Sequence, residues 1–183
     1  MLIYYMNGVK TMNKKDFSIN DFHLPRWNEL PNVDLYLDQV VNLINSTLSP
    51  YIFLNNDKKK ENIQVLTKTM INNYVKNNLI EAPEKKLYSK IQLAKLFVIC
   101  ILKQVYSMQD ISTLIAISLE NTTAQEKYDS FCNLFEECLR CTFDQKDFVD
   151  NNTDNSHLLR YVLLSCSYKI YVQNVTFGEK KEN

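Results

Sequence analysis

Leu66-Thr67-Lys68-Thr69-Met70-Ile71-Asn72-Asn73-Tyr74-Val75-Lys76-Asn77, followed by Pro83 and by Lys86-Leu87-Tyr88-Ser89, is the most informative segment of the chain. Thr67 is placed to cap a short helix whose apolar residues Met70, Ile71, Tyr74 and Val75 form one stripe. Thr69, Asn72 and Lys76 face away from that stripe, with Asn73 toward one edge. Pro83 closes the following turn, and Ser89 caps a helix running to about Tyr106 whose apolar content is nearly continuous. Such a helix belongs at the centre of a core.

Working outward, Ser107 caps a further helix carrying Met108, Ile111, Leu114 and Ile115. Upstream, Val33, Leu37, Val40, Val41, Ile44 and Leu48 recur at helical spacing, with Asn32 as cap and Pro50 beyond the end. The polar stretch 55–62 reads as a loop. Downstream, a helix is expected from about Thr123 to Cys141, with Tyr128, Phe131, Leu134, Phe135 and Cys138 as its stripe. An acidic, Asn-rich loop follows over 144–156. A last apolar helix then runs from His157 to about Val172, with a strand over Tyr168-Lys169-Ile170-Tyr171-Val172 as the alternative, because β-branched and aromatic residues fit both.

Only two glycines occur in 183 residues, Gly8 and Gly178, together with four prolines. This excludes a Gly-rich phosphate loop and argues against repeated tight hairpins. Hydrophobic residues make up 45%, enough for a packed core. The expected class is all-α. The expected organisation is a flexible N-terminal extension over 1–20, a helical domain over 21–119, a C-terminal helical region over 120–177 and a tail over 178–183. Internal methionines at Met6 and Met12 leave the true start open.

The net charge is zero, but its distribution is uneven. Residues 1–57 carry four basic and six acidic groups, a net of −2. Residues 58–106 carry ten lysines against three glutamates, a net of +7, and residues 107–183 seven basic against twelve acidic, a net of −5. A basic middle between acidic flanks fits a polyanion-binding module, and equally a solvated lysine-rich surface. Five scattered cysteines, an odd number, and the absence of a signal pattern place the expected compartment in the cytoplasm, with no membrane partner.

Enzyme signatures are missing. His23 and His157 belong to no acid–base or metal pattern, so no reaction, cofactor or metal is expected. Cys138-Leu139-Arg140-Cys141 spells CxxC, and Cys132, Cys166 or His157 are conceivable partners for zinc or redox work. Helical phase instead puts Cys138 in the middle of an apolar stripe, with Cys132 and Cys141 on its flanks, and free cysteine packs as a small hydrophobe. For the polar face near residue 70 the chemistry is clearer. Asn pairs bidentately with adenine in the major groove, and Lys and Thr reach phosphates or base edges.

The order Leu66 to Ile80, Lys86-Leu87-Tyr88-Ser89 and Leu93 through Ile111 resembles a MerR-type helix-turn-helix. In that family a recognition helix ends in a Gly-Leu-Ile or Gly-Leu-Leu turn, followed by an Arg-Tyr-Ser segment and a further helix. Asn78-Leu79-Ile80, Leu87-Tyr88-Ser89 and Ile101 to Ile111 occupy those places here. The departures are specific. Asn72, Asn73 and Tyr74 stand where that family has an arginine and two tyrosines. Tyr74 lies in the apolar stripe. Only Glu81 to Leu87 is available for a wing, which is therefore reduced or absent, and no long coiled-coil helix follows Ile115. Leu24-Pro25-Arg26-Trp27, Asp34 to Val40, Thr67 to Lys76 and Leu102 to Val105 resemble more closely a bacterial family of unknown function, number eighteen thirty-six, to which the YkrK-like proteins belong. That resemblance covers most of 24–175.

The MerR resemblance implies sequence-specific binding of double-stranded DNA by a bacterial transcriptional regulator. Lys68, Thr69, Asn72, Asn73 and Lys76 would face the major groove, and Lys85, Lys86 and Tyr88 the backbone beside it. Arg26 is a further candidate. A homodimer would form through the C-terminal helices. The alternative is a protein-interaction module that kept the scaffold and lost DNA binding. The two differ in whether the face of Thr69, Asn72 and Lys76 is open or covered by the acidic C-terminal half.

Overall fold

The computed structural model describes residues 19–52, 64–117, 122–146 and 157–177. The expected extension up to residue 18, the loop over 55–62, the 147–156 part of the acidic loop and the tail over 178–183 lie outside the described residues. Among those described, the chain is mainly helical. A strand β1 (Leu35–Tyr36) leads into α1 (Leu37–Leu48), followed by α2 (Lys68–Lys76), β2 (Leu87–Tyr88), α3 (Lys90–Leu102), α4 (Met108–Ile117), α5 (Ala124–Phe143) and α6 (His157–Phe177). β1 and β2 pair antiparallel, Leu35 opposite Tyr88 and Tyr36 opposite Leu87. No described helix is long and apolar enough to cross a membrane.

Side-chain caps start four helices where the sequence placed them. The Thr67 hydroxyl accepts from Met70 N at 3.2 Å, and Ser89, Ser107 and Thr123 accept from Gln92, Asp110 and Glu126 N. In the last three, the third helical residue returns a hydrogen bond to the cap's own backbone N–H. The first helix departs from expectation. It begins at Leu37 rather than after Asn32, and Val33 is exposed rather than part of the apolar stripe. Leu35 and Tyr36 are drawn into the pairing with β2, and the Gln39 side chain accepts the Tyr36 N–H instead. The segment Tyr168–Val172 is helical within α6.

α3 is the central element. Leu93, Ala94, Leu96, Phe97, Ile99, Cys100, Ile101 and Leu102 are all buried, and the helix touches α1, α5 and α6. Its near-continuous apolar sequence follows from being covered on several sides. α5 and α6 pack along one another, and residues 19–30 lie on α5. There Phe22 sits edge-on to Tyr51 and Phe135, at 4.8 and 5.8 Å between ring centroids.

The expected cysteine packing is visible. Cys132 and Cys138 are fully buried on α5, Cys100 on α3 and Cys166 on α6, and only Cys141 is partly exposed. Burial pushes each of the four buried thiols up to about 12, leaving almost no thiolate at neutral pH. Ellman titration of the native protein should therefore register at most one fast thiol, Cys141, and all five only after denaturation. Two or more fast thiols in the native protein would contradict this packing.

Candidate nucleic-acid interface

α2 owes its position to two anchors on its buried side. Ile71 and Tyr74 are buried, and the Asn45 side chain on α1 pairs with Leu66 in both directions. It donates to Leu66 O at 2.7 Å and accepts from Leu66 N at 3.0 Å. This side chain fixes the entry to α2 across a connection that is otherwise long. Nothing in the local sequence marks Asn45, because its partner is 21 residues away.

The far end of α2 is closed by Asn78, at φ 55°. Leu79 N donates to Tyr74 O at 2.9 Å and Asn78 N to Val75 O at 3.0 Å, which is a Schellman closure with asparagine in the glycine position. The side-chain amide of Asn tolerates this left-handed conformation better than most residues, so a chain poor in glycine still ends the helix sharply.

With the inner side anchored, Lys68, Thr69, Asn72, Asn73 and Lys76 are all exposed. No described residue of the acidic C-terminal half covers them. An open depression of about 460 Å³ gathers Lys68 and Asn72 with Lys86, Tyr88, Tyr36 and Asp38. A second, of about 380 Å³, gathers Asn73 and Lys76 with Asn77, Tyr74 and Lys103. Thr69 lies between on the same helix, lining neither, and Lys85 stands clear of both at the tip of the neighbouring turn.

That turn has no glycine. Lys85 and Lys86 both take positive φ, 48° and 69°, and Leu87 N donates to Glu84 O at 2.8 Å. Two successive left-handed residues inside a four-residue turn make a type I′ hairpin tip. The connection over 81–87, where the resemblance implied a reduced or absent wing, is a two-residue turn, and the Gln92 amide donates to Glu81 O at 2.8 Å. Lysine is a poor residue for either tip position, where Asn-Gly is preferred, and the left-handed conformation costs about 1–2 kcal/mol per residue. The double variant Lys85→Asn/Lys86→Gly is therefore expected to raise stability by about 2 kcal/mol in urea unfolding. A loss of stability would mean that other contacts hold the turn.

The lysines of the basic segment are not equivalent. Lys68 is paired with Asp38, and Lys95 with Glu81 at 2.6 Å. That hydrogen bond is the main reason the Glu81 carboxyl titrates below its ordinary value. Lys90 bonds Asn32 and stands 5.6 Å from the Trp27 ring. Lys103 donates to the Tyr74 hydroxyl at 3.2 Å and lies over its ring at 5.2 Å. Among the described residues, Lys76, Lys85 and Lys86 enter no ion pair, so they offer the least compensated positive charge.

Two candidates are placed otherwise than expected. Tyr88 is only 4% exposed, and burial raises its phenol above its ordinary value. As a core-facing residue of β2 it packs beneath the turn rather than reaching outward. Arg26 is turned away altogether. Its guanidinium binds Glu136 of α5 in bidentate fashion at 2.7 and 2.8 Å, Leu24 O at 2.6 Å and Asn133 at 3.0 Å. Glu136, 6% exposed, also accepts Leu24 N at 2.8 Å. Arg26 is a clamp between the N-terminal segment and α5.

A family model described as a domain of unknown function, DUF1836, matches residues 25–138, more than half of the chain. The chain belongs to the DUF1836 family. The DUF1836 segment begins one residue before Arg26 and ends two after Glu136, so the clamp joins its two ends. α6 lies beyond it. Neither a curated protein nor a solved structure matches the chain.

Proposed function

We infer that this DUF1836 protein is a sequence-specific DNA-binding regulator of transcription. The single observation that carries the inference is the open polar face of α2 set beside a strained two-lysine turn. Lys76, Lys85 and Lys86 supply uncompensated charge for phosphates, and Asn72 and Asn73 project amides suited to base edges. Strain retained at the Lys85–Lys86 tip is typical of functional positions, where a better-folding sequence is available but unused.

The order of elements supports a MerR-like arrangement. β1 precedes α1, α2 follows, and β2 returns after the basic turn to pair with β1 before α3 and α4. The connection between α1 and α2 departs from it. It spans 49–67, whereas a helix-turn-helix uses roughly three or four residues. The entry to α2 is set by the two hydrogen bonds between the Asn45 side chain and Leu66.

The test is selection of duplexes from a random-sequence pool by the purified full-length chain, followed by salt titration of the enriched sequence against scrambled competitor. Enrichment of a defined site with steep salt dependence supports a regulator. Binding that never exceeds the nonspecific level overturns it and favours a protein-interaction module on the same scaffold. The double variant Lys85→Asn/Lys86→Gly gives a second reading, because the same substitution that relieves turn strain removes two phosphate contacts. Stability should rise while DNA affinity falls.

A further inference from the structure

The depression between α1, α2 and the Lys85–Lys86 turn contains a polar group that the described chain leaves unused. Tyr88 lines it with only 4% of its surface exposed, and its hydroxyl makes no hydrogen bond to any described residue. A phenol this enclosed is ordinarily paired. Burial alone raises its titration, with no bonded neighbour contributing. Around this donor the surroundings are positive. α1 opens on the depression through Tyr36, its cap residue, and through Leu37 and Asp38, with which it begins. No side chain caps that end, whereas Thr67, Ser89 and Thr123 cap α2, α3 and α5. Its first N–H groups stay available, with the partial positive charge of a helix N-terminus behind them. Lys68 and Lys86 line the same depression. Asp38 is the carboxylate among the lining residues, and Lys68 already pairs with it. Lys86 enters no ion pair among the described residues, so its charge is left over.

We propose that this depression binds a small phosphate monoester of mononucleotide size, its terminal phosphate seated between Tyr88, Lys86 and the open end of α1. Shape and charge select that class. A volume of about 460 Å³ suits a ligand of this size. Tyr36, 60% exposed, offers a ring face at the rim to a planar group carried by the phosphate, and Asn72 offers an amide. A phosphate within a duplex backbone is esterified on both sides, which holds it out at the rim beside Lys86. A terminal phosphate is esterified once, reaches the recessed phenol, and brings a second negative charge to the leftover ammonium and the helix end.

The site shares Lys86 and Asn72 with the surface proposed for DNA, so a bound monoester displaces duplex. That regulatory consequence rests on the DNA-binding reading; the site itself does not.

Amide NMR of the full chain tests the site, titrated at constant ionic strength with inorganic phosphate, adenosine monophosphate, adenosine and dimethyl phosphate. Inorganic phosphate stands for the terminal group alone. It should give saturable shifts centred on Leu37, Asp38 and Lys86, half complete at about 1 mM. Adenosine monophosphate should bind more tightly than phosphate, and adenosine and dimethyl phosphate at least about 10-fold more weakly. Tyr88→Phe removes only the unpartnered hydroxyl. It should weaken phosphate about 10-fold or more, as for a hydrogen bond to a charged group, while the thermal midpoint stays at the wild-type value. A purely packing role for Tyr88 would leave phosphate binding unchanged. The proposal is overturned by the absence of saturable shifts, by shifts centred elsewhere, by dimethyl phosphate binding as well as phosphate, or by an unaffected Tyr88→Phe. A chain that binds the monoester but selects no duplex keeps the site and loses the regulator; one that selects a duplex but binds no phosphate does the reverse. Where both bind, adenosine monophosphate should release the duplex and adenosine should not. A stable complex of all three components overturns the competition.

Discussion

Reversing two lysines, Lys76→Glu with Lys86→Glu, is expected to weaken binding to a selected duplex by about 100-fold or more at physiological salt. In the proposed binding mode each substitution would remove one phosphate contact and add a like-charge repulsion. The logarithmic salt slope should become shallower by about 2, one unit for each phosphate no longer neutralised. Both side chains are exposed and enter no ion pair in the described structure, so the unfolding midpoint should stay near wild type. A loss of binding accompanied by unfolding would therefore not count in favour. Asn72→Ala should behave differently. It leaves the charge untouched, so nonspecific affinity and salt slope should hold while discrimination at one base position falls by about 1–3 kcal/mol. If both variants bind the selected site as the wild type does, the α2 face is not the DNA surface. Lys68→Glu offers an internal comparison. Its partner Asp38 already compensates it, so it should cost less than Lys76→Glu.

The face that makes this prediction possible was legible in the sequence because its determinants are local. Thr67 caps three residues ahead, Ile71 and Tyr74 mark the buried side, and Lys68, Asn72 and Lys76 follow on the other. Ser89, Ser107 and Thr123 were readable for the same reason: a cap and its returning side chain lie within one turn. What escaped depends on distant parts of the chain. The start of α1 shifted because Leu35 and Tyr36 pair with residues more than fifty positions away. Tyr88, beside two exposed lysines, looked like a surface residue until β2 turned its ring inward. The Lys85–Lys86 turn gave no signal, since nothing at its tip is glycine or asparagine. The local patterns thus identified α2 and its exposed polar face, while the elements that frame it are set by long-range pairing.

Arg26 is the sharpest case, and it carries the second large effect. From sequence it is a further candidate for DNA contact ahead of the first helix; its partner Glu136 lies 110 residues on. Arg26→Met should destabilise the protein by about 3 kcal/mol, because it leaves the Glu136 carboxylate nearly buried with its main counter-charge gone. For a chain of this length that lowers the thermal midpoint by about 10 °C. Glu136→Met should cost a comparable amount, stranding both the guanidinium and the Leu24 N–H. The double variant Arg26→Met/Glu136→Met should be more stable than the sum of the two, since neither partner is then left charged and unpaired. Acid supplies the same test without mutation. Burial acts to raise the Glu136 carboxyl, but the Arg26 hydrogen bond, the Leu24 N–H and the charges of Arg26 and His23 outweigh it, leaving the group below its ordinary value of 4.5. A carboxyl depressed in the folded state contributes stability that is fully present above its ordinary value and is lost as pH falls through the folded one. The wild type should therefore lose stability as pH drops below 4.5, and Glu136→Gln should flatten that part of the profile. An unchanged acid limb, or strictly additive single variants, would show that the clamp is not what holds residues 19–30 on α5. Because the Arg26 guanidinium is bound to Glu136 and Asn133 of α5 and lines neither depression beside α2, Arg26→Met assayed below its midpoint should keep the wild-type DNA salt slope. A slope reduced by a full unit would return Arg26 to the DNA-contacting set.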